Sequence, residues 1–248
     1  GGIEALTDPV LRGVAAWARA TGNPREAAGH GAPFPAEWLP ELVGVVATFE
    51  YLNRMVDVFL PAGLLPRTLP APVRRGVSQL VGRLVRSGVR GDREPGASLD
   101  LLPAAPLPED LGWAAPAPAV AGAFARAAAA FEAAGRRAVP GRVRELVLAE
   151  LAAWDGVRRG PGRAWAEEAV ARLPAAQRPA GRFALLVALA SYQVGPAVVA
   201  EFRRAGADDR TLVETAAWAG FAAARHVAAW AGAARPAPRE RTTIRRNP

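Results

Sequence analysis

Residues Glu41–Leu60 read ELVGVVATFEYLNRMVDVFL, and this stretch decides the fold class. Leu42, Val45, Val46, Phe49, Leu52, Val56 and Phe59 recur at three- and four-residue steps, which places them on one face of a helix. Glu50, Asn53, Arg54 and Asp57 form a polar stripe on the same helix. The rest of the chain has the same bias. Alanine, leucine and valine dominate, while isoleucine and tyrosine are scarce, a balance that favours helix over strand. The expected fold is all-α.

At 248 residues the chain can form one large domain or two small ones. Thr7-Asp8-Pro9 signals a helix start, a capping side chain followed by proline at an early position, with the helix running to about Ala20. Residues 22–34 read as a Gly/Pro-rich loop. A short basic amphipathic helix is expected over Pro72–Ser87. Breakers crowd residues 88–118, a linker strapped to the surface by Leu101, Leu102, Leu107, Leu111 and Trp113. A second helical unit follows, with pieces near 119–135, 140–157, 162–173, 177–194, 196–205 and 209–231. The domain reading is therefore 1–90, a linker at 91–118, a second unit at 119–232 and a disordered basic tail at 233–248.

The formal charge is +8, and every basic residue is arginine. These arginines are interspersed with acids, as in Arg142-Val143-Arg144-Glu145, whereas a phosphate-binding surface clusters them, so no nucleic-acid partner is expected. The tail Arg235–Pro248 carries three prolines and few apolar residues and reads as a solvated tail. No apolar run of about 18 residues exists, so no membrane partner is expected. With no cysteine and no export signal, a cytoplasmic location is the default reading.

Two segments together resemble a known family. The helix at Glu41–Leu60 is similar to the closing helix of the core motif in the alkylhydroperoxidase (AhpD-like) and carboxymuconolactone decarboxylase superfamily. Residues 182–230, including FALLVALASYQVGPAVVAEFRRAGADDRTLVETAAWAGF, resemble the same core a second time. The internal repeat aligns Glu50–Phe59 with Phe221–Trp230, with Arg54 over Arg225 and Val56 over Val227. The resemblance implies two helical units, the second degenerate, with thiol-dependent reduction of alkyl hydroperoxides as the parent activity. It also implies a homo-oligomer served by a thiol electron-donor protein. Carried over, the family's two cysteines fall at Gly195 and Val198 and its histidine at Phe202, and none of these can act as a thiolate or proton relay. Arg182 lies near the place of the family's upstream glutamate. For the first unit, the cysteine-bearing helix is expected before Gly1, in keeping with a chain that starts Gly1-Gly2 instead of with methionine.

Glu50, Asn53, Arg54 and Asp57 are the pocket candidates, with Glu50 or Asp57 available to a proton relay. The local alternative is intrahelical pairing, Glu50 to Arg54 at i,i+4 and Arg54 to Asp57 at i,i+3. Arg54 also has the option of pairing across an interface. His226 reads as a structural histidine with no carboxylate or nucleophile placed to work with it. His30 lies in a Gly-rich loop. Two separated histidines without cysteine give no metal site, and no cofactor is implied. Asp155 and Glu167-Glu168 read as surface charges, and Gly160-Pro161-Gly162 is unsuited to phosphate. Two other functions remain open. One is a non-catalytic scaffold. The other is a decarboxylase-type enzyme for a small lactone, with Glu50 or His226 as its base.

Overall fold

The computed structural model describes residues 3–29, 31–60 and 94–233. The expected helix over Pro72–Ser87, His30 and the tail lie outside them. The described residues form an all-α bundle with nine α-helices joined by short 3-10 turns. In chain order these are α1 (Pro9–Ala20), α2 (Pro24–Gly29), α3 (Leu39–Phe59), α4 (Pro118–Ala138), α5 (Gly141–Ala152), α6 (Ala164–Val170), α7 (Arg178–Ala190), α8 (Pro196–Arg204) and α9 (Asp209–Gly232).

The local rules explain most boundaries. Asp8 caps α1 by accepting from the Val10 and Leu11 amides, and Asp208 caps α9 by accepting from Thr211 N at 2.7 Å. The loop expected at 22–34 contains α2 instead. Asn23 accepts from Arg25 N at 2.9 Å and Pro24 opens the helix, a start signal hidden among breakers. The piece expected as one helix over 177–194 is two. Ala190 leaves the helical region at φ −156° and residues Ser191–Gln193 form a 3-10 turn.

Helix α7 forms the centre of the main core. Its sequence from Phe183 to Ala190 is apolar on every side, and every one of those residues is buried. Around it α5, α6, α8 and α9 supply Val143, Val147, Val170, Val198 and Ala216 to the main core. The long helix α3 lies against α9, and its Met55 and Val58 reach the same core. At Gly220 the two helices meet so closely that a β-carbon would lie 2.7 Å from Met55 Cε. A second cluster joins Trp17, Phe34, Val43 and Ala47 to Ala228 and Ala231 of α9. The Trp230 indole N–H donates to the Thr21 carbonyl at 2.6 Å and pins the first helices to the last.

The strap before α4 is held by fewer anchors than expected. Leu111 is fully buried, and Trp113 packs edge-on against Phe124 with ring centroids 4.9 Å apart. Leu107 is partly buried, but Leu101 is 81% exposed and Leu102 also faces solvent. Among the described residues no helix is long and apolar enough to cross a membrane.

Helix α3 is apolar on two sides, with Val43, Ala47, Met55 and Val58 packed inward and Leu42 and Val46 against the second cluster. Val45, Phe49, Leu52, Val56 and Phe59 all remain at the surface, with Phe49 61% exposed. The inward side carries Val43, Gly44, Ala47 and Arg54.

Candidate functional site

The polar stripe of α3 meets the end of α7. A helix leaves its last carbonyls without intrahelical partners, and inside a core those groups need other donors. Arg54, only 8% exposed, supplies one, its Nε donating to the Ala188 carbonyl at 3.0 Å. Its Nη1 donates to the Glu50 carbonyl at 2.8 Å and to the Glu50 carboxylate at 2.5 Å. The expected Glu50–Arg54 pair therefore exists, and Arg54 bonds across a helix interface as well. Its guanidinium also lies at the negative end of α7, a favourable place for a cation.

Asp57 takes a different partner from the one expected. No ion pair joins it to Arg54. It accepts the Ser191 hydroxyl at 2.6 Å, just past the α7 terminus. Asn53 is exposed. Three of the four pocket candidates thus hold one helix junction together. Ser191 is the functional-type residue that sequence reasoning passes over. Its signal is its position at the end of an unbroken apolar helix, where a hydroxyl needs a reason to be buried.

A cleft of about 700 Å³ opens beside this junction, between the C-terminal end of α3 and the start of α8. Asp57, Val58, Tyr192, Gly195, Val199 and Arg203 line it. Gly195 is the N-cap of α8, and nothing lies within 4 Å of where its β-carbon would be. Val198 and Phe202, the other two carried-over positions, are buried, and Phe202 stacks on Phe183 with centroids 4.9 Å apart. One of those three positions faces open space and two face the core. A serine on a carboxylate without an imidazole lacks the base that activates a hydroxyl nucleophile. His226 lines a separate groove.

Arg182 and Asp155 have structural roles. Arg182 is clamped between Glu167 and Glu201, and its guanidinium holds the Glu167 carboxyl below the ordinary carboxylate range. Asp155 accepts from Val157 N at 3.2 Å in a local turn. Among the described residues no group of three or more His, Cys, Asp or Glu side chains is placed to hold a metal.

His226 sits half-buried, edge-on to Trp230 with ring centroids 4.9 Å apart. Burial pushes its pKa below the ordinary histidine value, partly offset by the Trp154 backbone carbonyl. Asp110 and Glu132 line the same groove but bond to Arg225, Arg144 and Trp218 and not to His226.

The chain is similar to an alkyl hydroperoxide reductase. The match is to the protein named alkyl hydroperoxide reductase Rv2159c of Mycobacterium tuberculosis, 35% identical over 239 residues. It covers 94% of this chain and 66% of the relative, so the chain spans just under two thirds of the relative's length. That name agrees with the peroxide-reducing family that the core motif resembles. No family model matches the chain, and no solved structure matches it.

Proposed function

We propose that this chain is an AhpD-like protein of two helical units, the second degenerate, belonging to a system that reduces alkyl hydroperoxides. The observation that carries this reading is the similarity to the mycobacterial reductase along 94% of the chain. The cleft beside Gly195 supports it, because a helix N-terminus facing open space is where a thiolate is stabilised. These 248 residues contain no cysteine, so any thiol-dependent turnover draws its thiols from outside them.

The test has two parts. The purified chain, supplied with cumene hydroperoxide and a dithiol donor, is expected to show no turnover above background. Gly195→Cys is then expected to give a thiol of lowered pKa that cumene hydroperoxide oxidises to sulfenic acid faster than it oxidises the thiol of the control variant Ala200→Cys, at an exposed position of α8. Turnover by the unmodified chain, or an unreactive thiol in Gly195→Cys, would overturn the reading.

A second reading, the non-catalytic scaffold, is favoured by α3. Trp38, Leu42, Val45, Phe49, Leu52, Val56 and Phe59 follow alternating steps of three and four, the spacing of a coiled-coil seam. The exposed members present on the order of 600 Å², close to the ~800 Å² per partner of a standard interface. In this reading the seam packs on the same seam of a second copy, forming a two-fold homo-oligomer. Sedimentation velocity is expected to show a dimer or larger assembly that Phe49→Glu with Leu52→Glu dissociates. A wild-type monomer across the accessible concentration range would sink it.

A further inference from the structure

The groove that holds His226 is distinct from the α3–α7 junction and from the cleft at Gly195. It lies between α4, α5 and α9, under the strap at Asp110, and encloses about 310 Å³. That is the lower end of the range for small-molecule sites. Its floor is apolar, built from Phe131, Leu148, Leu151 and Phe221 with small alanines between them.

The chemistry of the rim narrows what fits. Arg225 is held by Asp110, with its Nε 2.8 Å from Oδ2. Glu132 accepts from Arg144 at 3.3 Å and from the Trp218 indole N–H at 3.3 Å. Each charge facing the groove therefore already has a partner of opposite sign or a hydrogen bond to one. A charged ligand would have to break one of these pairs while being desolvated itself, which is costly. His226 has the Trp154 backbone carbonyl as a partner for one ring nitrogen and carries no carboxylate or guanidinium contact. Half-burial favours its neutral form, and a neutral imidazole keeps one ring nitrogen as an acceptor while the other donates. Trp230 and Trp154 flank the ring and hold it in place.

We propose that this groove binds a compact, uncharged organic molecule whose apolar body lies on Phe131 and Phe221 and whose single hydroxyl or hydroperoxyl group donates to His226. The proposal does not depend on the peroxidase reading, since an alcohol satisfies it as well as a hydroperoxide.

The probe is 2-phenylpropan-2-ol, titrated into the full chain and followed by the imidazole and indole resonances of His226, Trp154 and Trp218. A saturable shift of these signals is expected, with binding weakened at least fivefold for isopropylbenzene, which has the same body and no hydroxyl. His226→Phe keeps an aromatic ring between the tryptophans and removes the acceptor. It is expected to bind both molecules equally, with thermal unfolding confirming that the variant is folded. Ala229→Trp, an exposed position one turn beyond His226 that also lines the groove, is expected to abolish binding of both. Absence of a saturable shift in the wild type overturns the proposal. So does a preference for the alcohol that survives His226→Phe, or equal or tighter binding of benzoate.

Discussion

Helices α3 and α7 solve opposite problems. From Phe183 to Ala190 helix α7 is apolar and buried on all sides, so what that stretch leaves open is its backbone terminus. Helix α3 packs Val43, Ala47, Met55 and Val58 inward, keeps Val45, Phe49, Leu52, Val56 and Phe59 at the surface, and still buries Arg54. The two belong together, because the stripe of α3 supplies what the end of α7 lacks. The difference teaches that periodicity identifies an amphipathic helix without saying which face a core will take.

The sharpest way to break this pairing is at Arg54. Arg54→Met keeps the volume and the apolar stem but strands the Ala188 carbonyl and the Glu50 carboxylate. A loss of about 3 kcal/mol is expected in urea unfolding. If Arg54→Met were neutral, the cap on α7 would carry no weight.

Gly220 tests the approach of α3 to α9. A valine there would drive its branches into Met55 and Tyr51, and a loss of about 2 kcal/mol is expected. Ser191→Ala removes one bond to Asp57 and is expected to cost about 1 kcal/mol, with Asp57→Asn costing less because an amide oxygen still accepts. Urea unfolding of the three variants ranks them directly.

The effect of pH is smaller. The folded pKa of His226 is lowered, so between its unfolded value near 6.5 and that lower value the unfolded chain binds more protons. Stability from this group is full above the unfolded pKa and declines as pH falls through the window. His226→Phe should flatten the stability profile just below pH 6.5, which guanidinium titrations at a series of pH values will read. The smallest expected effect is on the outer face of α3. Phe49→Glu should change the stability of a single chain by less than about 0.5 kcal/mol, since the ring is already in water.

Much of the fold is legible because its signals are local. The caps at Asp8 and Asp208, the glycine and proline breaks, and the unbroken apolar run Phe183–Ala190 each announce an element without reference to anything distant. Helix α2 escapes a sequence reading because Asn23-Pro24 reads equally as a loop and as a helix start. Leu101 and Leu102 look like anchors on hydrophobicity alone, while Leu111 and Trp113 are the residues that fill the space between α3, α4 and α9. The site is legible only in half. Glu50–Arg54 is an i,i+4 pair visible in the sequence. The contacts from Arg54 to Ala188 and from Asp57 to Ser191 cross 134 residues, and no spacing rule reaches that far.

That separation also has a consequence for biosynthesis. Helix α3 leaves the ribosome before any of α7 exists. At ~5–20 residues per second, the residues between Arg54 and its Ala188 acceptor take on the order of ten seconds to appear. Throughout that interval Arg54 has Glu50 but not its Ala188 acceptor. The junction at Arg54 and Asp57 can close only once α7 and Ser191 have been made.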